Sequence, residues 1–242
     1  AFLLNRSSNL RFTVRGGADL ISRISEIKMM VEKNLGQYKD DYIIIRDPES
    51  LDAYITACMK NDVISIDTET TGLDPLVDKI VGACLYTPGQ KAAYVPITHV
   101  SYKTGVRVPD QLTEKQVATS MQLLIDDHIK DVIMFNAKFD IRVLRHMGLN
   151  DIYCTWDGYL AAKLLNENES SSGLKPLYTK YVLDGKGDAF SFDTLFKGIS
   201  FDNIPITTGY LYAAHDAIIT YELYEYQRKY LRLDSKREDM RN

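Results

Sequence analysis

Short apolar runs alternate along this chain with amphipathic segments. The spacing of the apolar residues differs between the two, and it predicts which segments are strands and which are helices. Residues 42–46 (YIIIR) and 63–67 (VISID) are apolar runs bounded by polar residues, a pattern typical of buried strands. Two more extended runs, KIVGACLYT and KAAYVPI, are separated by a Pro-Gly pair, which is a turn signal. This order predicts an antiparallel meander, and a later run, DVIMFN, predicts one more strand.

Helical spacing accounts for most of the remaining chain. The segment ADLISRISEIKMMVEKNL carries apolar residues three and four apart, which predicts a helix near the N-terminus. Further helices are predicted from about Thr113, near 137–147, 157–167 and 173–183, and from about Thr208. Strands come first and then alternate with helices, so we expect an α/β fold with a mixed central sheet and helices on both faces.

Composition narrows the possible classes of protein. At 242 residues, with 45% apolar and 26% charged residues, the chain can bury one substantial core or two small ones. A net charge of -4 argues against coating long nucleic acid by charge alone. Cys58, Cys84 and Cys154 are widely separated, which favours free thiols over a disulfide framework or a zinc site. Without a signal peptide or an apolar span, we expect an intracellular, cytoplasmic protein.

Two carboxylates end one of the predicted core strands. Asp67 and Glu69 are two residues apart and therefore project from the same face of the strand. Such a pair repels itself unless a cation lies between the groups, and oxygen ligands favour hard divalent ions such as Mg²⁺ or Mn²⁺. The similar triplet Asp47-Pro48-Glu49 is instead explained as the start of a helix. Because active sites gather at strand ends, the sequence predicts half a metal site at Asp67 and Glu69.

Additional ligands must come from other elements. Asp140 lies in the first turn of a helix that Asn136 is expected to cap, a place that the helix dipole also favours for an acid. Tyr212 and Asp216 are four residues apart on the last helix and share a face. Each spacing is weak by itself. The combination is specific in its order: D-x-E on a strand, N-x-x-x-D opening a helix, and Y-x-x-x-D within a late helix.

These three segments, IDTETTGL, NAKFDIRVL and YAAHDAIITYEL, resemble the motifs of the DEDD superfamily of 3'-5' exonucleases, in its tyrosine-bearing (DEDDy, DnaQ-like) branch. The resemblance covers roughly residues 42–230 and implies a ribonuclease H-like fold. It is greatest to the proofreading domain of family A DNA polymerases, because AYVPITH and GLKPLYTKYVL also lie between the motifs.

The resemblance also implies a division of the chain. Residues 1–41 are expected to form an N-terminal helical extension, 42–231 the exonuclease domain, and 232–242 a charged tail or linker. In the family this domain precedes a polymerase domain, which this chain lacks. Since the chain starts at Ala1 and ends after the third motif, we expect an excised or processed piece, from a bacterial cell or a phage-infected host.

The family pattern assigns a role to each motif residue. Two divalent ions, Mg²⁺ or Mn²⁺, would be held by Asp67, Glu69, Asp140 and Asp216, with Asp67 contacting both. Tyr212 would orient the attacking water. The substrate would be the single-stranded or frayed 3' end of DNA, released as nucleoside 5'-monophosphates.

The resemblance further assigns substrate contacts to Thr70, Leu73 and Asn136. A structural role remains open for each: Thr70 as a turn residue, Leu73 in the core, and Asn136 as a helix cap.

For two other groups of side chains, a role in substrate binding and a purely structural or solvent-exposed role both stay open. Four phenylalanines before the last motif are expected either to stack on a base or to pack in the core, namely Phe190, Phe192, Phe196 and Phe201. Three basic residues on helices are expected to steer the nucleic acid or to be exposed and solvated, namely Lys138, Arg142 and Lys175.

Three alternative functions stay open at this point. An exoribonuclease of the ribonuclease D type would use the same carboxylates and tyrosine on RNA. A catalytically silent structural domain would keep the fold without binding metal. A generic α/β binding module would require all three motifs to arise by coincidence in the family's order.

Overall fold

The computed structural model describes residues 16–186 and 196–231, with a six-stranded sheet at the centre. Its strands are β1 (Tyr42–Ile44), β2 (Val63–Thr70), β3 (Ile80–Tyr86), β4 (Ala92–Pro96), β5 (Asp131–Met134) and β6 (Trp156–Asp157). The helices are α1 (Gly16–Leu35), α2 (Pro48–Asn61), α3 (Glu114–Asp126), α4 (Ala137–Met147), α5 (Gly158–Leu165), α6 (Leu174–Tyr181) and α7 (Ile206–Leu231). Short 3-10 helices span Gly36–Asp41 and Phe201–Asn203.

The sheet is mixed, as predicted. Its order is β1-β4-β3-β2-β5-β6, in which β2, β3 and β4 pair antiparallel and the other neighbours pair parallel. The predicted meander is therefore confirmed. Strand β6 was not predicted, because its two residues are too few to show a period, and Asp157 was assigned to the following helix.

Helices cover both faces of the sheet, and each face has its own apolar core. One core joins α2, α3 and α4 to residues such as Ile64, Ile66 and Leu85. The other joins α1 and α7 to Val81, Cys84 and Tyr94. Alternation along β2 and β3 sends neighbouring side chains to opposite cores. The expectation of helices on both faces is confirmed.

Two aspartates fix helix starts near the sheet. Asp47 accepts a hydrogen bond from the Ser50 backbone N–H at 2.8 Å, which confirms its role as the N-cap of α2. Asp157 caps α5 by accepting from the N–H groups of Tyr159 and Leu160. A capping carboxylate is satisfied by these donors, so the D-x-E triplet at Asp47 needs no cation.

Within residues 16–186 and 196–231, no helix has the length and apolar character needed to cross a membrane. Cys58, Cys84 and Cys154 are free thiols, as the sequence predicted.

Candidate active site

Strand β2 presents two acids on the face that α7 covers. Asp67 lies opposite Cys84 of β3, and Glu69 lies opposite Gly82. Glycine is required at the second position, because a Cβ at Gly82 would overlap with the Tyr94 hydroxyl. The ligand atoms of Asp67, Glu69 and Cys84 all lie within 4.8 Å of one another. The predicted carboxylate pair is thus brought together, and it has a thiol beside it.

Asp140 reaches the same region from the first turn of α4. Its Oδ1 accepts hydrogen bonds from the Thr68 backbone N–H at 3.0 Å and from the Thr68 hydroxyl at 2.7 Å. Its position next to the middle of β2 is therefore fixed by Thr68. Burial raises the pKa of Asp140 to about 7, although the two Thr68 hydrogen bonds act in the opposite direction.

Tyr212 and Asp216 share a face of α7 and meet a lysine from α6. The Lys175 ammonium donates to Asp216 Oδ2 at 2.7 Å and to the Tyr212 hydroxyl at 2.8 Å. Its nitrogen also lies 4.0 Å from the centre of the Tyr212 ring. The other carboxylate oxygen, Asp216 Oδ1, is buried without a hydrogen-bond partner among the described residues.

Lys175 contradicts the interpretation of an exposed, solvated base. It is only 8% exposed and lies in the acidic site. A buried lysine is expected where a carboxylate compensates its charge, and Asp216 supplies that carboxylate. The sequence predicted that Lys175 lies on a helix. It carried no signal that the side chain faces α7, because that contact forms only in the fold.

The carboxylates of β2 are held in an environment that disfavours their charged forms. Burial raises the pKa of Asp67 well above its usual range, with further increases from the charges of Asp140 and Glu69. Burial, followed by the charge of Asp216, raises the pKa of Glu69 to about 8, while Lys175 acts in the opposite direction. Both β2 carboxylates remain partly exposed to solvent, which moderates these shifts. The site is therefore short of positive charge.

We expect the metal-free protein to lose stability as the pH rises. The Glu69 carboxyl, with a pKa of 4.5 when unperturbed and about 8 in the folded protein, keeps a proton that the unfolded chain releases. Its contribution to the free energy of unfolding is therefore present below about pH 4.5 and is lost as the pH rises through 8. Urea denaturation in EDTA at pH 5 and pH 8 should differ by roughly 2 kcal/mol.

Glu69→Gln is the matched control for this pH dependence, since it removes the titrating group and keeps the shape of the side chain. Its stability should change less between the two pH values than that of the wild type. An equal change of stability between pH 5 and pH 8 in both proteins would contradict the assignment of this pH dependence to Glu69.

An open cleft of about 530 Å³ lies beside Asp67 and Asp140. It is lined by Asp67, Thr68, Leu73, Phe135, Asn136, Phe139, Asp140, Tyr159 and Ser172. Leu73 is 87% exposed, so the alternative that it belongs to the core is wrong. Three aromatic side chains in this lining were not selected from the sequence, because Phe135, Phe139 and Tyr159 belong to different elements that meet only in the fold.

The other two predicted substrate contacts have local structural roles as well. The Thr70 hydroxyl donates to the Gly72 carbonyl, which supports its role as a turn residue. The prediction that the Asn136 side chain caps α4 is wrong: Asn136 has a left-handed backbone (φ 59°), and its side chain makes no capping hydrogen bond. Asp157 satisfies the start of α4 instead, accepting from the N–H groups of Asn136 and Ala137. The Asn136 side chain is therefore not needed for the helix.

Two of the four phenylalanines before the last motif lie among the described residues, and both pack against other apolar side chains. Phe201 is buried in the core beneath α7, with its ring centre 5.9 Å from that of Phe196. Phe196 also packs edge-on against Tyr212, at 5.2 Å between ring centres. These two side chains support the position of Tyr212. Phe190 and Phe192 lie outside the described residues.

Comparison with known proteins identifies the family. The sequence profile of a family described as 3'-5' exonuclease matches residues 42–232. DNA polymerase I of Pseudomonas aeruginosa is 30% identical over 196 residues, which cover 78% of this chain and 21% of the polymerase. The chain thus spans about a fifth of that relative's length.

Solved structures share the fold. Escherichia coli RNase D superposes with a TM-score of 0.57 at 15% identity, covering 83% of this chain and 48% of the other. Brucella melitensis NrnC with bound Mg²⁺ has a TM-score of 0.53 at 19% identity, covering 82% and 83%. At these identities the likeness concerns the fold alone. Taken with the profile match, it shows that this chain belongs to the 3'-5' exonuclease family found in DNA polymerase I and has a ribonuclease H-like fold.

Proposed function

We propose that this protein is a metal-dependent exonuclease that removes nucleoside 5'-monophosphates from the 3' end of DNA, with the tyrosine-bearing DEDD residues as its active site. The observation that carries this proposal is the crowding of acids from β2, α4 and α7: Asp67 and Asp140 line one cleft, and the charge of Asp216 acts on Glu69. Burial raises the pKa of Glu69 to about 8 and that of Asp140 to about 7. Acids in such an environment favour a cationic partner.

The donor set fits divalent cations. Asp216 Oδ1 is buried and has no hydrogen-bond partner in the described part of the chain, so it is available as a ligand. Carboxylate oxygens are the ligands that Mg²⁺ and Mn²⁺ prefer. Asp67, Glu69, Asp140 and Asp216 would hold the ions. When bound, such ions lower the pKa of water and stabilise charge that develops on a phosphoryl group.

The remaining side chains position the substrate and the attacking water. The Tyr212 hydroxyl would orient the water, and Lys175 holds that hydroxyl at 2.8 Å. Leu73, exposed in the lining of the cleft, would pack against the terminal base, with Thr70 and Asn136 contacting the last nucleotide. Phe139 and Tyr159 offer aromatic surfaces on which bases can stack.

Tyr212→Phe should lower the rate of nucleotide release by about tenfold to a hundredfold, because it removes the water-orienting hydroxyl and keeps the ring that packs on Phe196. Mn²⁺ affinity, measured by isothermal titration, should change little. Tyr210→Phe on the same helix is the control and should retain the wild-type rate. A normal rate in Tyr212→Phe would rule out this role for the hydroxyl.

The substrate is tested with 5'-labelled single-stranded DNA and RNA of the same sequence, with Mg²⁺, with Mn²⁺ and with EDTA. We expect a metal-dependent ladder that shortens from the 3' end and forms faster on DNA. Support for DNA comes from the polymerase relative, whereas the likeness to RNase D concerns only the fold. Faster degradation of RNA would replace the proposed substrate with the ribonuclease D-type alternative, and two intact substrates would favour a silent structural domain.

The proposal includes a covalently attached polymerase domain as the partner in the full-length protein and an intracellular location, both by analogy with DNA polymerase I. Immunoblotting of the native host protein would test the first point. A species much longer than 242 residues is expected.

A further inference from the structure

We propose that Cys84 makes this active site a binding site for thiophilic divalent ions, with Asp67, Glu69 and the Cys84 sulfur as ligands for Cd²⁺ or Zn²⁺. The inference rests on the proposed function in one respect, namely that the β2 carboxylates bind metal. It adds a ligand from β3 that the exonuclease motifs do not contain, and it predicts which ions compete with Mg²⁺ and Mn²⁺.

The position of the thiol follows from the sheet. Cys84 is the cross-strand partner of Asp67, so both side chains leave the sheet on the same face. The sulfur and the carboxylate oxygens of Asp67 and Glu69 lie within 4.8 Å of one another. Cys84 is fully buried while the two acids are partly exposed, so an ion enters through the carboxylates and meets the sulfur beneath them.

A further ligand is available beside this group. Asp216 Oδ1 is buried and has no hydrogen-bond partner among the described residues. Asp216 projects from α7, whose Ala213 and Ala217 pack in the same core as Cys84, so this oxygen lies on the same side of the sheet as the three ligand atoms. Two or three carboxylate oxygens with one sulfur form a mixed donor set that suits Zn²⁺ and Cd²⁺. Mg²⁺ and Mn²⁺ have little affinity for sulfur and would use the oxygens alone.

Coordination by sulfur has a defined proton balance. As the metal–sulfur bond forms, the S–H bond breaks and its proton passes to solvent. No oxidant or reductant is consumed. A thiophilic ion held in this way occupies the β2 carboxylates, so it should exclude the hard ion from them and inhibit the nuclease at low concentration.

Cd²⁺ titration of the whole protein, followed by sulfur-to-metal charge-transfer absorption in the ultraviolet, tests the inference without an activity assay. Wild type should develop a band that saturates at one ion per chain. Cys84→Ser should lose most of this band and bind Cd²⁺ at least about tenfold more weakly. Cys84→Ala is the second variant, in case serine disturbs the core, and thermal unfolding of both variants checks that they fold.

Two control titrations separate this inference from the proposed function. Cys58→Ser alters a buried thiol in the core on the other face of the sheet and should keep the band. Mn²⁺ binding, measured in parallel by electron paramagnetic resonance, reports on the carboxylates and should be similar in wild type and Cys84→Ser.

The inference is overturned if wild type shows no band, or if a folded Cys84 variant keeps it. A Cd²⁺ band without Mn²⁺ binding would support the sulfur site and count against the proposed function. Mn²⁺ binding without a Cd²⁺ band would do the reverse.

Discussion

Asp67→Ala should lower exonuclease activity by roughly a thousandfold or more, with little loss of stability. Asp67 lies at the centre of the acidic group, where it faces Cys84 and feels the charges of Asp140, Glu69 and Asp216. Its removal takes away one of the proposed metal ligands. It also relieves repulsion in the metal-free protein, so the free energy of unfolding in EDTA should fall by no more than about 1 kcal/mol.

The chain contains a matched control for this experiment. Glu69→Ala and Glu49→Ala alter the same position of two D-x-E triplets, one at the end of β2 and one at the start of α2. Glu69→Ala should abolish activity, whereas Glu49→Ala, at an exposed first turn, should not change it. Rates are measured on 5'-labelled single-stranded DNA with saturating Mn²⁺. An Asp67→Ala protein that folds and degrades DNA at the wild-type rate would falsify the proposed site.

The sequence was sufficient for the parts of the fold that depend on local periodicity. The meander of β2, β3 and β4 has apolar runs and a Pro-Gly turn, and both can be recognised along the chain. Helix α4 follows a strand and is ended by Gly148, which has a left-handed backbone. In contrast, β6 has two residues and no period of its own. It exists because Trp156 pairs with Ile133, a contact between distant parts of the chain.

The sequence predicted only those acidic residues of the site that belong to the three motifs. Asp67 and Glu69 could be placed on one face because strand geometry is local. The contact between Thr68 and Asp140 joins residues 72 positions apart, and the contact between Lys175 and Asp216 joins residues 41 apart. Neither has a sequence signal. The same holds for Cys84, which is adjacent to Asp67 only through the β2–β3 register.

The error at Asn136 has a related cause. Asparagine before a helix is a common N-cap, so local preference favoured that role. In the structure Asp157, 21 residues later, accepts the hydrogen bond from the Asn136 N–H at 3.0 Å. A tertiary contact has replaced the local one and leaves the Asn136 amide at the cleft.

Lys175→Met should cause the largest loss of stability among single substitutions at this site. Lys175 and Asp216 side chains are only 10% and 11% exposed, and their charged atoms lie 2.7 Å apart. Without the ammonium, the Asp216 carboxylate is left buried next to other acids. Breaking a buried pair from one side typically costs about 3–5 kcal/mol, and we expect a loss of roughly 3 kcal/mol in EDTA.

Lys180→Met is the control on the same helix. Its ion pair with Glu169 also spans 2.7 Å, but the Lys180 side chain is 49% exposed. Although the Glu169 side chain is buried, it also accepts hydrogen bonds from the Tyr181 hydroxyl and the Ser171 backbone N–H, so a smaller loss is expected. Mn²⁺ should restore much of the stability of Lys175→Met, because a bound cation replaces the missing charge beside Asp216.

A double-mutant cycle with Asp216→Asn isolates the pair. Once the carboxylate is neutral, Lys175→Met leaves no unpaired anion at that position, and the methionine chain can fill much of the space that the lysine occupied. Urea denaturation of the four proteins in EDTA should give a coupling energy of at least about 1 kcal/mol. Additive losses would mean that Lys175 stabilises the fold through packing alone. The site would then lack the internal cation that the 2.7 Å contact with Asp216 indicates.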